Sequence, residues 1–341
     1  MRYIGSKINL ISEIRSIVDH QAPRSKIFCD LFAGTGVVGR EFKVSHQIIS
    51  NDILHFAYVL NVAYNGLSSK PGFSKLVKKL HDDPISYLNK ISICEDQVTE
   101  EDFMTISYSP AGAADRKYLT VSNALKIDRI RQTITQWFVN DDISEAEFFY
   151  LLASLIEKVP SVSNTTGTYG AFLKNWDTRS YKPLIIDHLH IQESQYQNEV
   201  FNLDANDLIH RISGDVLYLD TPYNARQYSS NYHLLETLAR YDKPELKGLT
   251  GLRADKTGES SYCRKNSVYQ SFDDLLANAD FKSIVISYSS DGILSEEQLI
   301  EIMSKHGDEK SLNMKKLPYR RYKRTADDER NVLEYLFAID K

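Results

Sequence analysis

Cysteine is scarce: three in 341 residues, Cys29, Cys94 and Cys263. They show no metal-ligand spacing and cannot all pair, so neither a disulfide framework nor a Cys-held metal is expected. Their reduced state suits the cytoplasm. No apolar run approaches the roughly 18 residues of a membrane span. Residues 1–7 lack the apolar core of a signal peptide. An excess of positive charge is also missing. The net charge is −5, so the whole molecule is no basic nucleic-acid binder, and any such binding must come from local patches. What remains is an ordinary globular composition, 42% hydrophobic and 26% charged, with a length that suggests roughly two domains. Tyrosine is abundant: 21 residues that serve as core and rim or as stacking surfaces.

The chain is organised around Asp220-Thr221-Pro222-Tyr223, which follows the apolar run Val216-Leu217-Tyr218-Leu219. A run of β-formers ending in an acid, a Pro and an aromatic predicts a strand delivering side chains to a sheet's carboxyl edge. In open α/β sheets ligands bind at that edge. The combination suits gripping an exocyclic amine on a flat ring. Asp220 accepts one amine hydrogen, the Thr221 carbonyl accepts the other, and Tyr223 stacks on the ring. The plain alternative is a strand end with a half-buried tyrosine.

Nearer the amino terminus, helical spacing predicts a helix from near Ser6 to Val18. A short strand over 26–30 then runs into Leu31-Phe32-Ala33-Gly34-Thr35-Gly36 and a helix start. Strand, glycine-rich turn and helix form a nucleotide-binding layout. The full dinucleotide fingerprint is absent, and Asp30 stands just before the loop. An acid there repels a pyrophosphate and welcomes a cationic amino-acid tail, which favours S-adenosylmethionine over NAD. A second strand, 47–50, ends at Asp52, placed to take ribose hydroxyls; capping a helix from Leu54 is the other use for it. A third strand, over 199–203, ends at Asp204, a further candidate contact to an adenine amino group, with Asp207 read as a helix cap.

Long helices are expected over 122–138 and 144–159, with strands over 283–288 and 331–339 and a helix over 294–303. Three polar stretches are candidates for touching nucleic acid. Residues 161–170, with Asn164, Thr165, Thr166 and Tyr169, run on to Lys174. Residues 224–233 carry Arg226, Tyr228 and Asn231. Residues 315–324 interleave six basic residues, Arg320 and Arg321 among them, with two tyrosines. A solvated loop is the alternative for the first, and a solvated hairpin tip for the third. His233 reads as a hydrogen-bonding residue rather than a base, and 241–268 as a long functional or mobile loop.

In this order the sequence resembles the D12-class adenine-specific DNA methyltransferases, the group that includes the Dam enzymes and several restriction-modification methylases. Arg2-Tyr3-Ile4-Gly5-Ser6-Lys7 looks like the family's amino-terminal motif, Asp30 to Gly36 like its donor loop, and Asp220-Thr221-Pro222-Tyr223 like its catalytic Asp-Pro-Pro-Tyr. The resemblance implies a Rossmann-like α/β fold with a mainly parallel seven-stranded sheet whose last strand is antiparallel. It assigns 1–65 and 199–341 to the catalytic domain and 66–198 to a largely helical inserted target-recognition region. It implies S-adenosylmethionine held by Tyr3, Lys7, Asp30, Phe32, Gly34, Gly36, Asp52, Asp204 and Asp220, catalysis at Asp220, Thr221, Pro222 and Tyr223, and no metal. Arg2 joins the candidate DNA contacts. The expected partner is double-stranded DNA, with a companion endonuclease related by function rather than by contact; the expected state is a cytoplasmic monomer. The departure is Thr221, where the family has Pro; the job there belongs to a backbone carbonyl, which any residue supplies. The same amine clamp admits cytosine N4 or RNA as substrate, and a non-catalytic DNA-binding relative is the alternative from another class. C5-cytosine chemistry is disfavoured because no Pro-Cys pair occurs.

Overall fold

A computed structural model of the chain describes residues 3–319 and 332–341. The chain divides into two compact units: Met1–Ser6, Leu54–Glu193 and Tyr228–Gly258 in one, Lys7–Ile53, Ser194–Gln227 and Glu259–Lys341 in the other.

The second unit is an α/β sheet structure. Its strands are β1 (Ile27–Asp30), β2 (Gln47–Asn51), β3 (Glu199–Phe201), β4 (Ser213–Leu219), β5 (Asp280–Ser289), β6 (Asn313–Tyr319) and β7 (Val332–Asp340). Their order is β3-β2-β1-β4-β5-β7-β6. The first five in that order pair in parallel, and β7 runs antiparallel to both neighbours. Both faces are covered, which is why the strands read as continuous apolar runs. Successive side chains go to opposite faces. Cys29, Leu217, Ile284 and Ile286 pack with the helices Val268–Asn278 and Glu296–His306. Phe28, Val216, Tyr218 and Val285 pack with Ile11–Gln21 and Val37–Phe42. The strand order reverses between β1 and β4, so the carboxyl ends of these neighbours border the switch-point crevice.

The other unit is largely helical. Val121–Val139 starts at a Thr120 cap and Glu145–Val162 at a Ser144–Glu147 capping box. Helix Tyr228–Arg240 is kinked at Tyr232, whose φ is −127°. Asp128, fully buried, accepts from Met104 N, Thr105 N, Thr105 Oγ1 and Tyr241 Oη. Four donors on one carboxylate fix two helices and the chain after a third. Among the described residues no helix is long and apolar enough to cross a membrane.

Three expectations are corrected. The first helix begins at Ile11, behind a 3₁₀ turn at Ile8–Leu10, because the backbone at Leu10 (φ −115°, ψ 3°) leaves the helical range. Residues 241–268 are more than a loop. Leu246–Lys247 and Leu252–Arg253 pair as a ribbon, whose Arg253 grips Asp242 through both carboxylate oxygens at 2.8 and 2.7 Å. A 3₁₀ turn follows at Ser261–Cys263. The capping acid near residue 205 is Asp204, which accepts from Asn206 N at 2.9 Å; Asp207 stands exposed in the helix's first turn.

Candidate active site

Three strand ends of the sheet unit are tied together by one side chain. Asn51, at the end of β2, donates to the carbonyls of Leu31 and Leu203, each at 3.1 Å, and accepts from Leu203 N at 3.0 Å. The chain leaving β1 then turns through Gly34 (φ 52°) and Gly36 (φ 74°), conformations that suit glycine. Asp52 holds that turn: its Oδ2 accepts from Gly34 N at 2.8 Å. The N-cap of the helix His55–Asn61 is Leu54 rather than Asp52, and its first N–H groups, His55 N and Phe56 N, donate to the two Glu236 carboxylate oxygens, each at 3.0 Å. Phe32 meets the edge of Tyr262 at 4.9 Å, and Tyr262 Oη donates to Asn206 beside the Asp204 cap.

Asp30 is buried at the end of β1 and accepts from Gly39 N at 3.3 Å. Burial, and then the neighbouring Asp220, push its carboxyl up to about 8, against the pull of the Gly39 N–H. Asp220 follows β4, next to β1, and keeps 19% of its side chain exposed. Lys7 Nζ lies 2.7 Å from Asp220 Oδ1 and 3.1 Å from Glu334 Oε1. Burial alone would lower the Lys7 pKa, yet Asp220 and Glu334 outweigh it and hold the ammonium well above its usual range. The Asp220 carboxyl sits at about 6, raised chiefly by burial, lowered by Lys7 and raised again by Glu334.

Thr221 is 1% exposed, and among the described residues its hydroxyl has no hydrogen-bond partner. Pro222 and Tyr223 are half-buried. The Tyr223 ring makes an edge contact with Tyr288, the Lys7 ammonium lies 5.7 Å from its centroid, and its carbonyl accepts from Ile293 N at 3.0 Å. The tetrapeptide is therefore anchored at both ends. An ionised acceptor on a fixed turn, beside an aromatic face, can hold a planar amine.

In the helical unit Tyr3 stacks on Tyr232 at 4.7 Å and neighbours Tyr228 and Phe56. Several expected DNA contacts prove to be buried frame. Asn164 donates to the Lys117 and Leu173 carbonyls and accepts from Asp177 N. Thr165 and Asn231 are 4% exposed and Tyr169 2%. Their polar groups mainly tie the chain to itself, as where the Asn231 carbonyl accepts from Tyr169 N at 2.7 Å. His233 is buried too, bonded through Nε2 to the Tyr169 carbonyl, and burial pushes its pKa down to about 4. Thr166, Lys174 and Arg226 are exposed, and Tyr228 partly so. Arg2, Arg320 and Arg321 lie outside the described residues. The sequence reading missed Asn51, Ser287 and Glu334; an Asn directly before the acid of β2 was the only signal for any of them.

The family model for D12 class N6 adenine-specific DNA methyltransferases matches residues 3–302. The chain is 46% identical to the type II methyltransferase M.FokI of Planomicrobium okeanokoites and 43% identical to the modification methylase StsI of Streptococcus sanguinis. It is 38% identical to the type II methyltransferase M.NlaIII of Neisseria lactamica. Each alignment takes in 100% of this chain. The chain spans about half the length of the first two, 53% and 52%, and 99% of the third.

Proposed function

The chain belongs to the D12 class of N6 adenine-specific DNA methyltransferases, and from that premise we propose that it methylates N6 of adenine at a specific site in duplex DNA, as the modification activity of a restriction-modification system. The observation that carries this reading is Asp220, partly exposed and held by Lys7, at the carboxyl edge of the strand next to Asp30 and the glycine turn. An N6 amine is out of reach inside the base stack, so the base must be flipped out. The amine's lone pair is delocalised into the ring. Accepting its two hydrogens at Asp220 and at the Thr221 carbonyl pulls the nitrogen toward tetrahedral geometry. Those bonds strengthen as charge develops on nitrogen, so they favour the transition state.

The residues fit S-adenosylmethionine as donor. Asp30 is a buried carboxyl pressed by Asp220, and a cation alongside it relieves both burdens. The Gly34–Gly36 turn lets a ligand approach the backbone, and Asp52, Phe32 and Asp204 border the same strand ends. Tyr3 and Lys7 complete the proposed set. When bound, S-adenosylmethionine supplies an electrophilic methyl group on sulfur. We assign the helical region 66–198 to target recognition, with Thr166 and Lys174 as its DNA contacts and Arg226 and Tyr228 as further contacts outside it, and expect a cytoplasmic monomer acting alongside a companion endonuclease that it does not bind.

The test is mass spectrometry of nucleosides from DNA and RNA incubated with protein and donor. N6-methyladenine from duplex DNA is expected; N4-methylcytosine, or methylated nucleosides from RNA alone, would overturn the reading. Tyr223 gives a second check. Base–aromatic stacking contributes about 1–3 kcal/mol, so Tyr223→Ala should lower kcat/KM by roughly 5- to 150-fold. Tyr223→Phe keeps the ring and should stay within about threefold, and equal losses would argue against stacking.

A further inference from the structure

Within the sheet unit one ammonium serves two carboxylates. Lys7, 3% exposed, contacts Asp220 from β4 and Glu334 from β7. Glu334 is 2% exposed, and its Oε1, the oxygen facing Lys7, also accepts from Ser287 Oγ on β5 at 2.8 Å. We infer that Glu334 is a positioning residue that sets how strongly Asp220 accepts a hydrogen bond, acting through Lys7. This rests on the reading of Asp220 as the amine acceptor. Glu334 lies beyond residue 302, where the family-model match ends.

The cation is divided between the two carboxylates. A carboxylate fully neutralised by its own ammonium is a poor acceptor for an incoming amine. A carboxylate buried with no cation takes up a proton and becomes a much weaker acceptor. Sharing Lys7 leaves Asp220 between these limits, ionised at neutral pH but not fully satisfied. The two charges facing Asp220 act in opposite directions. For Asp220, burial raises the pKa first, Lys7 lowers it and Glu334 raises it. The remaining groups around the cluster are Asp30, Tyr218 and Tyr223, with Asp52 acting on Asp30. Ser287 holds Glu334 toward the lysine, so the division is fixed by hydrogen bonding as well as by charge.

Glu334→Gln removes the competing charge and keeps the shape. Asp220 then loses its competitor for Lys7. The acid limb of the kcat profile should move down by about half to one pH unit, and kcat at pH 8 should fall several-fold. A residue serving only the fold would leave the limb in place, so a wild-type limb in the glutamine variant overturns the inference. If that variant does not fold, Glu334→Asp puts the question more gently. Its charge is withdrawn by one methylene, and the limb should move in the same direction by less; a wild-type limb and kcat in that variant also overturn the inference. Asp220→Ala, assayed in parallel, separates the two claims. Loss of activity there with an unmoved limb in Glu334→Gln defeats this inference alone, whereas an active Asp220→Ala enzyme defeats the reading beneath it.

Discussion

Asp220→Ala lowers methyl transfer by about a thousandfold, the scale expected when a preorganised partner of a transition-state hydrogen bond is removed. Donor and DNA binding survive at least in part, because the alanine leaves Asp52 on Gly34 and Tyr223 on its turn. The fold should survive as well. In the wild type Lys7 faces two carboxylates; without Asp220 it still pairs with Glu334. Loss of rate with urea unfolding unchanged is therefore the expected signature. A variant that methylates DNA at the wild-type rate would show that the amine is held elsewhere. The wild-type enzyme carries a related pH signature. The ionised form of Asp220 is the strong acceptor for an amine N–H, and its carboxyl sits at about 6. The rate should climb as pH rises through that value, read from kcat/KM, whose acid limb reports the free enzyme.

The strand ends that build this site were legible because local sequence states them. Short runs of β-formers closing on Asp30, Asp52, Asp204 and Asp220 give both the strand and the polar terminus, and the glycines after Asp30 allow a single kind of turn. The fold class follows from the same runs, since strands buried on both faces read as unbroken apolar segments. What an acid does at a strand end was less legible. Asp204 and Asp207 are equally able to cap a helix, and only backbone dihedrals decide between them; the extended backbone at Asp204 (φ −61°, ψ 138°) makes it the cap. Residues 161–170 misled for a related reason. Hydroxyls and amides look the same in a sequence whether they face a phosphate or their own backbone, and Asn164 faces its own backbone three times over. The Lys7–Glu334 pairing was out of reach altogether. It joins two distant ends of the chain through the insertion of β7 between β5 and β6, and no local pattern announces it.

That distant pairing sets the second large effect, which falls on stability. Lys7→Met keeps the length and apolar stem of the side chain and removes the ammonium that two carboxylates share. Breaking a buried ion pair from one side costs about 3–5 kcal/mol, because the other charge stays buried without a partner. The lower end applies here, since Asp220 keeps 19% of its surface in contact with water. The sign of the pH dependence follows from the same charges. The folded-state pKa of Asp220 already lies above the ordinary carboxylate value, at about 6, and Lys7 is the group pulling it down. Without Lys7 it rises further, so the folded variant binds more protons than the unfolded chain from pH 4 upward through that higher value. Stability then falls as pH rises across this window. The variant should come closest to the wild type near pH 5 and be weakest near pH 8. Urea unfolding of both proteins at the two pH values measures the gap. A gap that stays constant, or narrows toward pH 8, would mean that the lysine supports the fold by packing and not by neutralising Asp220 and Glu334.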